Sequence, residues 1–181
     1  MRPTVVVGDG DSLPADRVAE LRDSGVEVIV HPASKDESDT ELAVREALSR
    51  GSRQIWIVGA MGGERLEHAV ANLLLLSLPE LAGVDARIVD GSSELRVIGH
   101  DGPASAEIDG VVGDYVSLLA LSDRVEGVTT RDLVYPLTGA TLTQGPARGL
   151  SNELAAPSAS VTTKRGRLAV IHTIRTEELT R

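Results

Sequence analysis

Cysteine and phenylalanine are both absent from the 181-residue chain, and only three aromatic side chains occur: Trp56, Tyr115 and Tyr135. Without cysteine there is neither a disulfide framework nor a thiolate metal site. Three aromatics do not make a platform for stacking successive bases. Positive charge is short as well. Lysine and arginine total 18 against 27 aspartates and glutamates, a formal net charge of −9. That is the opposite of the counterion-replacing surface of a nucleic-acid binder. No apolar run approaches the length of a membrane span, and the first residues do not read as a signal peptide. The expectation is a protein of a reducing compartment, the cytoplasm. An acidic protein still binds phosphates where a divalent cation stands between the two anions.

What is present is an ordinary globular composition. The hydrophobic fraction is 41%, enough to bury a core in one domain or two small ones. The first half alternates strand and helix signals. "TVVV" (4–7) leads to a helix around Val18 and Leu21 that stops at Gly25. "VEVIV" (26–30) precedes a helix over 38–51, opened by the capping pattern Ser38-x-x-Glu41 and closed by Gly51. "QIWIV" (54–58) precedes a helix over 65–78, and "ARIVD" (86–90) is a fourth strand. Strands separated by helices predict a mainly parallel, Rossmann-like sheet. After about Ser92 the pattern becomes short apolar runs separated by Gly, Pro, Asp and Ser, which predicts a β-sandwich or small barrel. The expected architecture is an α/β domain over residues 1–91 followed by an all-β domain over 92–181.

Candidate chemistry gathers at the ends of the predicted strands. Asp9 and Asp11 in "GDGDS" are one residue apart, so extended backbone points both carboxylates to one side. They follow the first strand, where open parallel sheets bind ligands. Asp36 and Asp39 follow the second. Four carboxylates at one edge repel unless a cation neutralises them, and Mg²⁺ is the natural partner of oxygen donors. A turn or a helix cap accounts for either pair alone. Both pairs at one edge favour a site. "GAMGG" (59–63) lies between the third strand and its helix, where glycines let backbone N–H groups approach a phosphate. A tight turn explains it as well, and it matches neither phosphate-loop fingerprint. His68 and Asn72 share a face of the following helix, with Arg65 one turn earlier. In the β half, Ser151 and Asn152 of "RGLSNE" offer donors and acceptors able to read a polar heterocycle, or merely serve a turn.

In order, "GDGDS", "SKDESDTELA", "GAMGGERLEHAVANLLLL", "VYPL" and "RGLSNE" closely resemble the thiamine pyrophosphokinase family, from Pro3 to about Ile174. The resemblance implies an α/β catalytic domain followed by a β-sandwich. It implies transfer of pyrophosphate from ATP to the hydroxyethyl group of thiamine, giving thiamine diphosphate and AMP. It also implies a homodimer, with thiamine held near the subunit interface. By position it assigns Asp9, Asp11, Asp36 and Asp39 to Mg²⁺ and the ATP phosphates, with Lys35 near phosphate. Gly62, Gly63, Arg65 and His68 match the block around the nucleotide, whose helix also carries Asn72. Ser151 and Asn152 match the thiamine-contacting segment.

Several positions depart from the family pattern. Gly10 replaces a bulky apolar residue between the first two acids. Glu64 reads as an insertion, and Glu67 replaces the aspartate before His68, keeping charge but moving it by a methylene. Asp132 and Val134 replace a glycine and a basic residue ahead of Tyr135. The family's upstream A-D-[GS]-G-A segment has no counterpart, which leads to the expectation of a truncated gene product or of a partly lost site. The rival readings are a catalytically impaired nucleotide- or thiamine-binding homologue, a pyrophosphokinase for another alcohol such as a pterin, and a purely structural module.

Overall fold

The computed structural model describes residues 3–9, 14–63, 65–99 and 104–175; Asp11, Gly10 and Glu64 lie outside them. The fold is mixed α/β. The chain packs as two compact units, residues 1–55 and 56–181.

In the first unit, β1 (Val5–Gly8) pairs in parallel with β2 (Glu27–Val30), in the register Val5↔Glu27 to Gly8↔Val30. Parallel neighbours need a crossover, which α1 (Ala15–Asp23) supplies. Helix α1 and α2 (Asp39–Ser49) stop in the same way. Gly25 N–H donates to the Arg22 carbonyl and Val26 N–H to Leu21; Gly51 N–H donates to Leu48 and Ser52 N–H to Ala47. This double bond pattern needs a left-handed residue, and the two glycines supply φ values of 82° and 83°. At the other end of α2, the Ser38 hydroxyl accepts the Glu41 N–H at 3.1 Å. The Glu41 carboxylate pairs with Arg45 one turn on.

In the second unit, α3 (Leu66–Leu75) and the short 3₁₀ turn Pro79–Leu81 precede β4 (Asp85–Asp90). In its sheet β4 lies beside the strand over Gln54–Val58. It forms an antiparallel hairpin with β5 (Ser93–Ile98), Asp90 pairing with Ser93 across Gly91 and Ser92. Gly91 has φ 56°, the value a two-residue hairpin asks of its first central residue. The junction expected at residues 91 and 92 therefore falls at a hairpin tip. Strand β3 (Gln54–Val58) begins at the end of the first unit and runs into the second.

The remaining strands are β6 (Ala104–Asp109), β7 (Tyr115–Ala120), β8 (Arg124–Arg131), β9 (Ala140–Thr143), β10 (Asn152–Glu153), β11 (Ser158–Thr163) and β12 (Leu168–Thr173). One sheet has the order β10-β7-β12-β5-β4-β3 and the other β6-β11-β8-β9. Alternate residues of both meet in one apolar cluster: Val116, Leu118, Leu168 and Val170 from the first, Ile108, Val125, Leu142 and Val161 from the second. Period-two burial of this kind is what short alternating strands encode.

One polar group is buried at the rim of that cluster. The Asp114 carboxylate accepts the Val111 N–H and the Arg175 N–H, each at 2.9 Å, and lies 3.0 Å from His172 Nε2. Gly110 stands over this group, and a Cβ there would lie 2.7 Å from Asp114 Oδ2. Burial, the largest single influence, opposes ionisation of Asp114, but the two backbone donors and His172 together outweigh it. Its pKa lies below the ordinary carboxylate value. A depressed carboxylate stabilises the fold above its unfolded pKa, and that stabilisation is lost as pH falls through the folded value. Asp114→Ala is expected to cost about 1–3 kcal/mol at neutral pH. In urea melts the gap between variant and parent should narrow as the medium becomes acidic.

Candidate active site

The first unit brings one acid from each predicted pair to the same point. Asp9 follows the last residue of β1, and Asp39 opens α2 just after the Ser38 cap. Between them stands Lys35, whose Nζ is 2.6 Å from Asp39 Oδ1 and 3.1 Å from Asp9 Oδ2. The lysine side chain is only 11% exposed. Its pKa is raised, first by the hydrogen bond to Asp39 and then by that to Asp9, against the opposing effect of burial. Gly8 makes room for this arrangement: a Cβ there would lie 3.2 Å from Asp39 Oδ2. The requirement was not apparent in "VVVGD", because it is imposed by a residue 31 positions away. Asp36 is exposed and takes no part in the two ion pairs.

Hard oxygen donors that converge on one cationic point suit Mg²⁺, which is typically held by one or two carboxylates together with phosphates and water. Asp9 and Asp39 meet that description. Among the described residues no three Asp, Glu, His or Cys side chains form a complete metal cage.

In the second unit the glycine loop leads into α3. Gly63 has φ 105° and Gly59 φ 72°, conformations that favour glycine. Gly62 faces open space, with no atom within 4 Å of a notional Cβ. Asn72 is buried, and its Nδ2 donates to the Ala60 carbonyl at 2.8 Å, fastening the loop to the helix. Arg65 precedes the first helical residue and bonds Glu67 through Nε at 2.6 Å. That bond is the main reason the Glu67 carboxyl titrates below its usual value. Arg65, Glu67 and His68 are all exposed beside the loop.

Elsewhere in this unit, Ser151 is exposed and left-handed at φ 55°, whereas Asn152 is 5% exposed. Asn152 Oδ1 accepts from the N–H groups of Tyr135 and Glu153, and Nδ2 donates to the Tyr135 carbonyl. Tyr135 presents an exposed ring close by in the fold. Neighbouring positions 151 and 152 thus face opposite environments, Asn152 opening β10 and Ser151 lying in the left-handed turn before it.

Comparison with known proteins bears directly on these clusters. The model of the thiamin pyrophosphokinase catalytic domain matches residues 1–86, and that of the thiamin pyrophosphokinase vitamin B1 binding domain matches residues 105–168. The crystal structure of thiamin pyrophosphokinase from Geobacillus thermodenitrificans is 32% identical, with 99% of this chain and 81% of that one covered, at a TM-score of 0.81. This chain belongs to the thiamine pyrophosphokinase family. A thiamin pyrophosphokinase family protein from Enterococcus faecalis is 30% identical over 96% of this chain and 81% of its own, at a TM-score of 0.82. The thiamine pyrophosphokinase of Bacillus subtilis (strain 168) is 27% identical over 153 residues, which is 84% of this chain and 70% of that protein. Both family domains are present in the order the motifs predict: the catalytic match spans the Asp9–Lys35–Asp39 cluster and the glycine loop with Asn72, and the B1-binding match spans Tyr135, Ser151 and Asn152.

Two outcomes follow from this geometry. In a nitrogen-detected NMR titration the Lys35 ammonium should lose its proton above the range of a free lysine, and Asp39→Asn should bring that midpoint down. Asn72→Ala should lower stability by about 1–3 kcal/mol in denaturant melts, since it leaves the Ala60 carbonyl without its donor.

Proposed function

We propose that this chain is an ATP-dependent thiamine diphosphokinase, transferring pyrophosphate from ATP to the hydroxyethyl oxygen of thiamine. The observation that carries the reading is membership of the family over nearly the whole chain, with both the catalytic and the B1-binding models matched. In the reaction the thiamine hydroxyl oxygen gives up its proton to solvent and bonds to the β-phosphorus, the bond from that phosphorus to the α,β-bridging oxygen breaks, and AMP leaves with that oxygen.

The catalytic part is assigned to residues 1–91, a Rossmann-like parallel domain, and thiamine binding to a β-sandwich over residues 92–181. The family matches at 1–86 and 105–168 support this division. Asp9 and Asp39 would hold Mg²⁺, with Asp11 and Asp36 as further carboxylates. The ion, when bound, neutralises charge developing on the phosphates. Lys35 already holds a positive charge between Asp9 and Asp39 and is suited to receive a phosphate oxygen. Gly62 and Gly63 offer backbone N–H groups without side-chain obstruction, and Arg65 and His68 add donors at the same helix start. Asn72 serves the nucleotide indirectly, through the loop it fastens. Ser151 and Asn152 belong to the thiamine side. The protein is read as a cytoplasmic homodimer. No helix among the described residues is long and apolar enough to cross a membrane.

Incubating the purified chain with ATP, Mg²⁺ and thiamine should yield thiamine diphosphate and AMP in equal amounts. Binding of both substrates without product would favour the impaired homologue, and preference for a pterin alcohol in competition would replace the substrate. Asp9→Asn and Asp39→Asn should each lower kcat by about 100-fold or more, the scale lost with a preorganised electrostatic group.

A further inference from the structure

The point in the first unit that suits a divalent ion is held by a charge of the chain itself. Lys35 Nζ lies 2.6 Å from Asp39 Oδ1 and 3.1 Å from Asp9 Oδ2, so one ammonium bonds an oxygen of each carboxylate. A metal ion shared by the two acids draws on the same acceptors. The local structure fits the trio closely. Gly8 lacks the Cβ that would stand 3.2 Å from Asp39 Oδ2. The Ser38 hydroxyl accepts the Glu41 N–H and fixes the start of α2, where Asp39 stands one turn beyond Lys35.

Two features set this cluster apart from an ordinary ion pair. The side chains of Lys35 and Asp9 are 11% and 16% exposed, whereas that of Asp39 is 48% exposed. The carboxylates are therefore within reach of solvent on the Asp39 side, where an ion can enter. Charge is also left over: one ammonium offsets one of the two carboxylates, and a divalent ion in its place offsets both. Lysine suits temporary occupation of such a point. Its ammonium is compact and sits on a flexible four-carbon stem, without the rigid fork that locks an arginine onto a carboxylate.

We propose that Lys35 is a stand-in cation. It keeps Asp9 and Asp39 together before a metal binds and competes with Mg²⁺ for both of them. It yields them when a nucleotide phosphate offers its ammonium another acceptor. The site is thereby weak for the bare ion and strong for the ion arriving with nucleotide, a coupling between the two ligands. This rests on the Mg²⁺ and ATP reading above.

The test is Mg²⁺ binding to the full chain without nucleotide, by isothermal titration calorimetry, together with urea melts with and without Mg²⁺. Lys35→Met removes the charge and keeps the bulk of the stem. It should bind Mg²⁺ at least about tenfold more tightly than the parent, the scale of one hydrogen bond to a charged group. Without metal it should be less stable than the parent, and Mg²⁺ should restore most of that loss. An affinity no tighter than the parent's, or a loss that Mg²⁺ does not reverse, would overturn the stand-in. The parent gives a check that holds even if Lys35→Met unfolds. In nitrogen-detected NMR its Lys35 ammonium resonance should move once Mg²⁺ and a non-hydrolysable ATP analogue are both bound. A resonance that stays fixed means that the ammonium keeps its carboxylates, and the proposal fails. Should these results hold while the parent makes no thiamine diphosphate, the functional reading falls and the role of Lys35 stands.

Discussion

The Lys35 ammonium between Asp9 and Asp39 is the contact that holds the polar cluster of the first unit together. Two carboxylates close enough to share one cation would repel each other in its absence, and the lysine is too little exposed for water to screen them fully. Each member arrives by a different local rule. Asp9 is placed by the end of β1, Asp39 by the Ser38 cap that starts α2, and Lys35 by the turn before that cap. The parallel register of β1 and β2 holds them together. A slip of one residue would turn Asp9 to the other face of the sheet. Gly8 completes the arrangement by lacking the side chain that would crowd Asp39.

The second unit uses a different device twice. Asn72 and Asn152 are both buried, and both bond main-chain groups of a neighbouring loop. A carboxamide has the donor and acceptor of a peptide group, so it secures a loop that no strand reaches. In each case the secured loop stands beside exposed groups: Gly62, Gly63 and Arg65 in one, Tyr135 and Ser151 in the other. The buried polar residue fixes the loop, and its neighbours remain exposed. Such a division matters in phosphoryl transfer, where positioning supplies much of the rate.

Much of this was legible along the chain. Gly25 and Gly51 marked helix ends that the structure closes with left-handed glycines, and Ser38 marked a cap that forms. In β7 the alternation of Val116 and Leu118 with Tyr115 and Ser117 is matched by alternate burial. The β4–β5 hairpin was less evident. "VDGS" contains an Asp-Gly turn signal, yet the change of pattern near residues 91 and 92 reads as a boundary between domains rather than as a hairpin. Strand identity is local, whereas the partner of a strand depends on residues far along the chain. Asn152 was harder still, since Asn in a polar loop reads as a ligand-facing group until the Tyr135 peptide is found against it.

From sequence alone came the strand and helix positions, the store of acids near the strand ends, and the order of motifs that marks the family. These depend on neighbouring residues, whose spacing and side-chain chemistry are written directly in the chain. Only the tertiary structure decided that Asp9 and Asp39 meet through Lys35, that β4 turns back onto β5, and that Asn152 faces inward to bind Tyr135. Each of those outcomes joins residues brought together by packing and hydrogen bonding, whose energies depend on distance in space rather than separation along the chain.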